Sequence, residues 1–290
     1  MHTSVASTLT VTSPVPATAL LQIAVAAPAE EQLTVLTDGR PVDADEVLVE
    51  GARVHRLELP AGDTTITYSA QVESAGSPRE VTSAEWAEYV RPSRYCPADQ
   101  LAGFAVTEFD RSLPRAELVA RVAGWVHDRL VYTSGSSRPV DTAVDTLLMG
   151  QGVCRDYAHV VISLLRAMDM PARYAACFAP GLQPMDFHAV AEAYHDGAWY
   201  VIDATRLANR RSLVRIATGR DAADCAFLSY HGGHVGLAHM RVDAWVMPEA
   251  ASVDGLEGDG RPASLERSPR SEDATSEPAS DDFLTLVQLA

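Results

Sequence analysis

The chain contains no lysine; all 23 basic residues among its 290 are arginine. Genomic base composition is the simplest cause, but one chemical consequence holds either way. An enzyme that joins glutamine to lysine could not use this chain as its own acceptor. Long apolar runs are also missing, and none approaches the ~20 residues that a membrane-spanning helix needs. The start, Met1-His2-Thr3-Ser4, has no basic patch followed by an apolar core, so no secretory signal is expected there. Four cysteines, Cys96, Cys154, Cys177 and Cys225, form no CxxC pair and no disulfide-dense pattern. That usage fits a reducing compartment, and a cytoplasmic location is expected.

Positive charge is scarce as well. The formal net charge of -16 argues against nucleic acid and against an anionic membrane surface as partners. Residues 249–290 hold ten acidic and three basic residues, so -7 of that charge belongs to the tail. The remainder is only moderately acidic and says little about a substrate. A length of 290 residues is enough for about two domains with separate cores.

Residues 1–83 read as a β-rich domain. Alternating or β-branched stretches occur at Leu9–Thr12, Leu20–Ala26, Leu33–Thr37, Val47–Val49, Val54–Leu59 and Thr64–Val72. Turn-formers such as Asp38-Gly39 separate them, as in a small antiparallel sandwich. Ala84–Gln100 reads as a connector, and 84–250 as a second domain. A helix is predicted from Arg115 to Val131, with Leu118, Val122, Val126 and Leu130 on one stripe. Thr142 is a plausible N-cap for a short helix that Gly150 stops. A third helix starts near Cys154 and ends before Pro171. Strands are expected at Arg173–Phe178, His188–Tyr194 and Ala198–Ala204, with another near Met240–Val246. Helices followed by antiparallel strands make an α+β domain. Residues 251–280 are rich in Ser, Pro, Gly, Asp and Glu and are expected to be disordered. The apolar segment 281–290 is expected to pack as an edge strand.

The chemistry gathers in the second domain. Gly152-Val153-Cys154-Arg155-Asp156-Tyr157-Ala158 places a cysteine at a helix N-terminus, where free backbone N–H groups and the macrodipole favour a thiolate. The Cys154 backbone N–H is a candidate oxyanion donor, a contact worth roughly 3–4 kcal/mol in a transition state. His188 lies in Asp186-Phe187-His188-Ala189-Val190-Ala191-Glu192, and Asp203 in Trp199-Tyr200-Val201-Ile202-Asp203-Ala204-Thr205. Between them, Asp196-Gly197 is a two-residue hairpin signal that pairs His195 with Ala198. Continuing that ladder sets His188 opposite Thr205 and Val190 opposite Asp203. His188 and Asp203 then share a face as diagonal neighbours, roughly 7–8 Å apart at the backbone. Taken singly, a cysteine at a helix start or a histidine on a strand is ordinary. Cysteine, histidine and aspartate together, in this order, have the parts of a nucleophilic acyl-transfer site.

These blocks resemble the transglutaminase-like superfamily. Gly152–Ala158, with Leu164-Leu165-Arg166-Ala167-Met168-Asp169-Met170-Pro171-Ala172-Arg173 after it, is similar to that family's nucleophile helix. The His188 and Asp203 segments are similar to its histidine and aspartate blocks. The match runs over about 86–250. It implies a papain-like α+β core, a cysteine-bearing helix on an antiparallel sheet, preceded by a small all-β domain. It also implies Cys154, His188 and Asp203 as a catalytic triad acting on protein or peptide amides. Family members include cross-linkers, deamidases, peptidases and peptide:N-glycanases, so hydrolysis, transamidation and a non-catalytic binding module that keeps the fold all stay open. Hydrolysis is slightly favoured, because water needs no acceptor pocket. Two positions depart from the pattern: Arg206 stands where cross-linking members often have proline, and Ala191 replaces a common polar residue. No acidic calcium loop is visible, and no cofactor is expected.

Other polar residues carry less. His159, five positions after Cys154, is about 140° round the helix and reads as core or surface filler. His231, His234 and His239 match no zinc spacing, so no metal site is expected. Cys96, Cys177 and Cys225 read as small apolar residues. Trp199 and Tyr200 alternate faces, one toward the core and the other toward a cleft. No motif sets an oligomeric state.

Overall fold

The computed structural model describes residues 2–73 and 81–247; the acidic stretch 251–280 and the apolar segment 281–290 lie outside the described residues. The first third is β throughout, because apolar and small polar residues alternate along it. Its strands are β1 (His2–Ser13), β2 (Ala17–Leu21), β3 (Glu30–Thr37), β4 (Arg40–Pro41), β5 (Ala44–Val49), β6 (Ala52–Leu59) and β7 (Gly62–Glu73). Every second residue of β1 is buried, and Val5, Leu9 and Val11 meet the same core as Ile66, Tyr68, Ala70 and Val72 of β7. Asp38 and Gly39, with φ of 47° and 77°, close the β3–β4 hairpin, the left-handed pair such a turn demands.

The helical region holds α1 (Ser83–Tyr89), α2 (Ala98–Glu108), α3 (Arg115–Arg129), β8 (Val131–Tyr132), α4 (Ala143–Met149), β9 (Gln151–Gly152) and α5 (Cys154–Arg166). Then come β10 (Ala172–Phe178), β11 (Phe187–His195), β12 (Ala198–Ile202), β13 (Val214–Gly219), β14 (Leu228–His231) and β15 (Gly236–Met247). Strands β12-β11-β10-β13 form an antiparallel sheet. Helix α5 packs on β10 and β11, with α2, α3 and α4 against its other sides. It is buried all round, and Val160, Val161, Ile162, Leu164 and Leu165 are fully enclosed. Each large apolar side chain of that kind contributes about 1.5–3 kcal/mol relative to exposure.

Two expectations change. The stretch 84–100 is not a bare connector: Thr82 and Glu85 form a capping box at the start of α1, and α2 begins at Ala98. The boundary drawn at 84–250 also moves. Strand β15 pairs with β1 from His2↔Met247 to Thr12↔Gly236, and β14 pairs with β2. The resulting sheets run β15-β1-β7-β3-β4 and β14-β2-β6-β5. Without β14 and β15, β1 and β2 would leave rows of backbone N–H and C=O groups unpaired. The N-terminal unit is therefore completed by residues 228–247. Tyr68 ties it to the second sheet: its hydroxyl accepts from Val25 N (2.9 Å) and donates to Glu31 (2.8 Å), while its ring stacks on Phe178 at 6.5 Å.

Among the described residues, no helix is long and apolar enough to cross a membrane.

Candidate active site

The nucleophile position is built by punctuation on both sides. Thr142 caps α4, its backbone N–H donating to Asp145 at 2.9 Å, and Gly150 ends the helix with a φ of 67°. The chain then runs parallel to β8: Val131 N donates to Gly150 O and Thr133 N to Gly152 O, both at 3.0 Å. Cys154 opens α5. Asp156, in its first turn, accepts from Val153 N at 2.9 Å and so satisfies an N–H ahead of the helix. Arg155 binds Asp156, Ser137 Oγ and Arg138 O, which fixes the 133–141 loop beside Cys154. Cys154 is partly exposed, whereas Cys96, Cys177 and Cys225 are buried. Burial pushes the Cys96 thiol up to about 12 and raises Cys177 and Cys225 as well.

The hairpin supplies the other two groups. Asp196 and Gly197 have φ of 49° and 82°, His195 faces Ala198, and the ladder closes at Ala191↔Ile202. Asp203 follows immediately, and its Oδ2 lies 3.0 Å from His188 Nε2. Thr205 donates to Asp203 Oδ1 from its N–H (3.0 Å) and its hydroxyl (2.6 Å), and Ala208 N donates to Oδ2 at 3.3 Å. Burial disfavours this carboxylate, yet the bonds from His188 and Thr205 hold it below its ordinary range. Burial likewise opposes a charged imidazole, but Asp203 and the Cys154 thiol outweigh it, and His188 is pushed up to about 10. With Nε2 committed to Asp203, the buried Nδ1 makes no well-formed hydrogen bond and is left for the thiol.

Three neighbours of this centre were not singled out from sequence. Tyr132 of β8 lies near Cys154, and burial with the nearby sulfur raises its hydroxyl to about 12. His127 of α3 holds the aspartate turn through Nδ1 and Ala204 O at 2.9 Å. Asp186 stands at the rim, with Phe187 N donating to it at 2.7 Å. The parallel pairing of β8 with β9 brings Tyr132 in, and no local pattern announces such a pairing.

The remaining polar residues lie elsewhere. His159 is fully enclosed, stacked on Tyr95 at 5.2 Å and near Tyr174 at 5.4 Å, with Nε2 accepting from Ala222 N. Burial drives it well below its ordinary value, so it is neutral. Trp199 packs with Tyr89, Tyr194 and Arg173, and Tyr200 stacks on His195 at 4.0 Å. His234 meets Tyr230. Among the described residues, no group of three or more His, Cys, Asp or Glu could hold a metal ion.

Residues 105–204 match the model of the transglutaminase-like superfamily. The crystal structure of a candidate cysteine protease from Cytophaga hutchinsonii is similar to this fold, with a TM-score of 0.76, 31% identity and coverage of 88% of this chain and 91% of that one. The chain belongs to the transglutaminase-like superfamily. An uncharacterized Mycobacterium leprae protein is 23% identical over 59% of this chain and 68% of its own length. An uncharacterized Mycobacterium tuberculosis protein is 27% identical over 56% of this chain, and the match spans about half (54%) of that protein. In this superfamily member the turn after Asp203 departs from the proline pattern noted above. Arg206 has a φ of 58°, which a proline ring, locked near -65°, cannot adopt.

Proposed function

We propose that the protein is a cysteine-dependent acyl-transfer enzyme acting on amide bonds of proteins or peptides, with hydrolysis as the favoured outcome. One observation carries the reading: a buried imidazole bonded to Asp203 at 3.0 Å has its other ring nitrogen unpartnered, and the thiol at the head of α5 adds to its raised pKa. In the first half-reaction the Cys154 sulfur attacks the acyl carbon, and the carbonyl π electrons move onto oxygen. The Cys154 backbone N–H is the candidate donor to that oxyanion. His188 gives its proton to the departing amine, the C–N bond breaks, and a thioester remains. His188 then takes a proton from water as it attacks, and the thiolate leaves. Asp203 keeps the ring oriented and stabilises its charged form at both stages.

The test is intact mass spectrometry on a panel of peptides and glutamine-containing proteins, with and without a primary amine. Hydrolysis gives cleaved or deamidated products whose yield the amine does not change, and a Cys154 thioester accumulates with slow donors. Products that carry the amine identify transamidation by the same three residues. Absence of any acyl-enzyme or product across the panel would leave a binding module that retains the fold.

A further inference from the structure

The turn that carries Asp203 is held from two directions. From within, Thr205 donates its N–H (3.0 Å) and hydroxyl (2.6 Å) to Asp203 Oδ1, and Ala208 N donates to Oδ2 at 3.3 Å. From outside the hairpin comes His127, in the last turn of α3, whose Nδ1 lies 2.9 Å from Ala204 O. A carbonyl oxygen only accepts, so His127 carries its proton on Nδ1. Asp203, Ala204 and Thr205 are all buried, where a polar group that loses its partner has no bulk water to replace it.

These bonds form a chain. The Ala204 C=O and the Thr205 N–H are the two ends of one planar peptide unit. His127 therefore fixes the orientation of the N–H that Asp203 Oδ1 accepts, and Asp203 Oδ2 in turn lies 3.0 Å from His188 Nε2. Each bond in such a chain polarises the next, so a donor on the carbonyl strengthens the N–H at the other end. The helix end that supplies His127 is also tied to the nucleophile. Leu130 O accepts from the buried Tyr157 hydroxyl of α5 at 2.8 Å, and Val131 N donates to Gly150 O at 3.0 Å, shortly ahead of Cys154. Residues 127–131 thus bond both to the aspartate turn and to the segments that flank the thiol.

We propose that His127 is a positioning residue: through the Ala204–Thr205 peptide unit it sets the Asp203 carboxylate against His188 and holds that pair in place relative to Cys154. Its part in turnover rests on the acyl-transfer reading above; its hold on the Asp203–His188 pair does not.

The experiment reads the pair before it reads turnover, by NMR titration of the imidazoles in the full chain. In the native chain the neutral His127 ring should be the Nδ1–H tautomer, and His188 should titrate far above an ordinary histidine. His127→Ala removes the donor and should lower the His188 midpoint by about one pH unit or more. His127→Phe keeps the ring volume without the donor and gives the same reading where the alanine variant does not fold. His127→Asn, whose amide N–H can stand where Nδ1–H stood, should restore the midpoint. Tyr157→Phe cuts the tether at Leu130 without touching the peptide unit, and should leave the His188 midpoint in place even where it lowers the melting temperature. An Nε2–H tautomer, an unmoved His188 midpoint in the donor-less variants, no recovery in His127→Asn, or an equal fall in Tyr157→Phe overturns the proposal. Where acyl transfer is found, kcat should fall roughly ten- to hundredfold in His127→Ala at unchanged KM, and an unchanged kcat overturns the proposal as well. A lowered His188 midpoint in a chain that transfers no acyl group keeps the positioning and removes only the enzyme reading.

Discussion

A Cβ on Gly152 would lie 2.7 Å from the Cβ of Asp156, closer than side chains pack. The glycine is thus a spacer for the carboxylate that caps Val153 N and, through that cap, for the placement of Cys154. Gly152→Ala should push Asp156 off its N–H. Losing the cap costs about 1 kcal/mol and overpacking about 1–3 kcal/mol. The expected result is a lower urea midpoint together with slower alkylation of Cys154. An unchanged midpoint and rate would show that the contact relaxes freely.

The four thiols should differ sharply in reactivity. Only Cys154 is partly exposed and heads a helix, while the other three are buried with raised pKa values. Iodoacetamide at neutral pH should label Cys154 at least tenfold faster than Cys96, Cys177 or Cys225, read by peptide mapping. Comparable rates would count against an activated nucleophile.

Asp203→Asn removes the charge that supports the imidazolium but keeps the shape of the turn. Turnover should fall by about 10⁴-fold, the loss expected when a triad carboxylate is neutralised. His188, pushed up to about 10 in the native chain, should titrate lower in the variant by NMR. A variant with unchanged titration would mean that Asp203 does not set the state of the ring.

Stability should fall on both sides of a plateau. Glu192 is enclosed; burial raises it, but Arg215 and Arg173 bring it down to about 2 from an ordinary 4.5. Its contribution is present above pH 4.5 and lost as pH falls toward 2. His188 is raised to about 10 from 6.5, so its contribution is complete below 6.5 and lost as pH rises toward 10. Urea midpoints should be highest between these limbs. Glu192→Gln should lose about 3–5 kcal/mol, since it leaves buried arginine charge unmatched, and should flatten the acid limb. An alkaline limb that persists in Asp203→Asn would separate it from His188.

Much of the local structure can be read directly from residues. Thr142 and Gly150 bound α4, Cys154 opens α5, and Asp196-Gly197 turns the β11–β12 hairpin. Those signals are local, or depend on one short ladder. That ladder stops at Ala191↔Ile202, short of the expected pairs of Val190 with Asp203 and His188 with Thr205, and Asp203 reaches His188 from the turn after β12. Helix α1 was legible too, in Thr82 and Glu85, but the nearby prolines and aromatics masked it. What local pattern does not contain is which distant strands meet. The alternation in β15 is plain, yet nothing in it names β1 as its partner. The same holds for Tyr132, whose place beside Cys154 follows from β8 running along β9.

The pairing of His2 with Met247 has a consequence for how the molecule is made. Strand β1 leaves the ribosome long before β15 and waits for it before that edge is covered. Loop closure over that span is slow, so the early sandwich passes through a stage with an open, adhesive margin. Refolding yield should therefore depend on protein concentration more steeply than the size of either unit suggests.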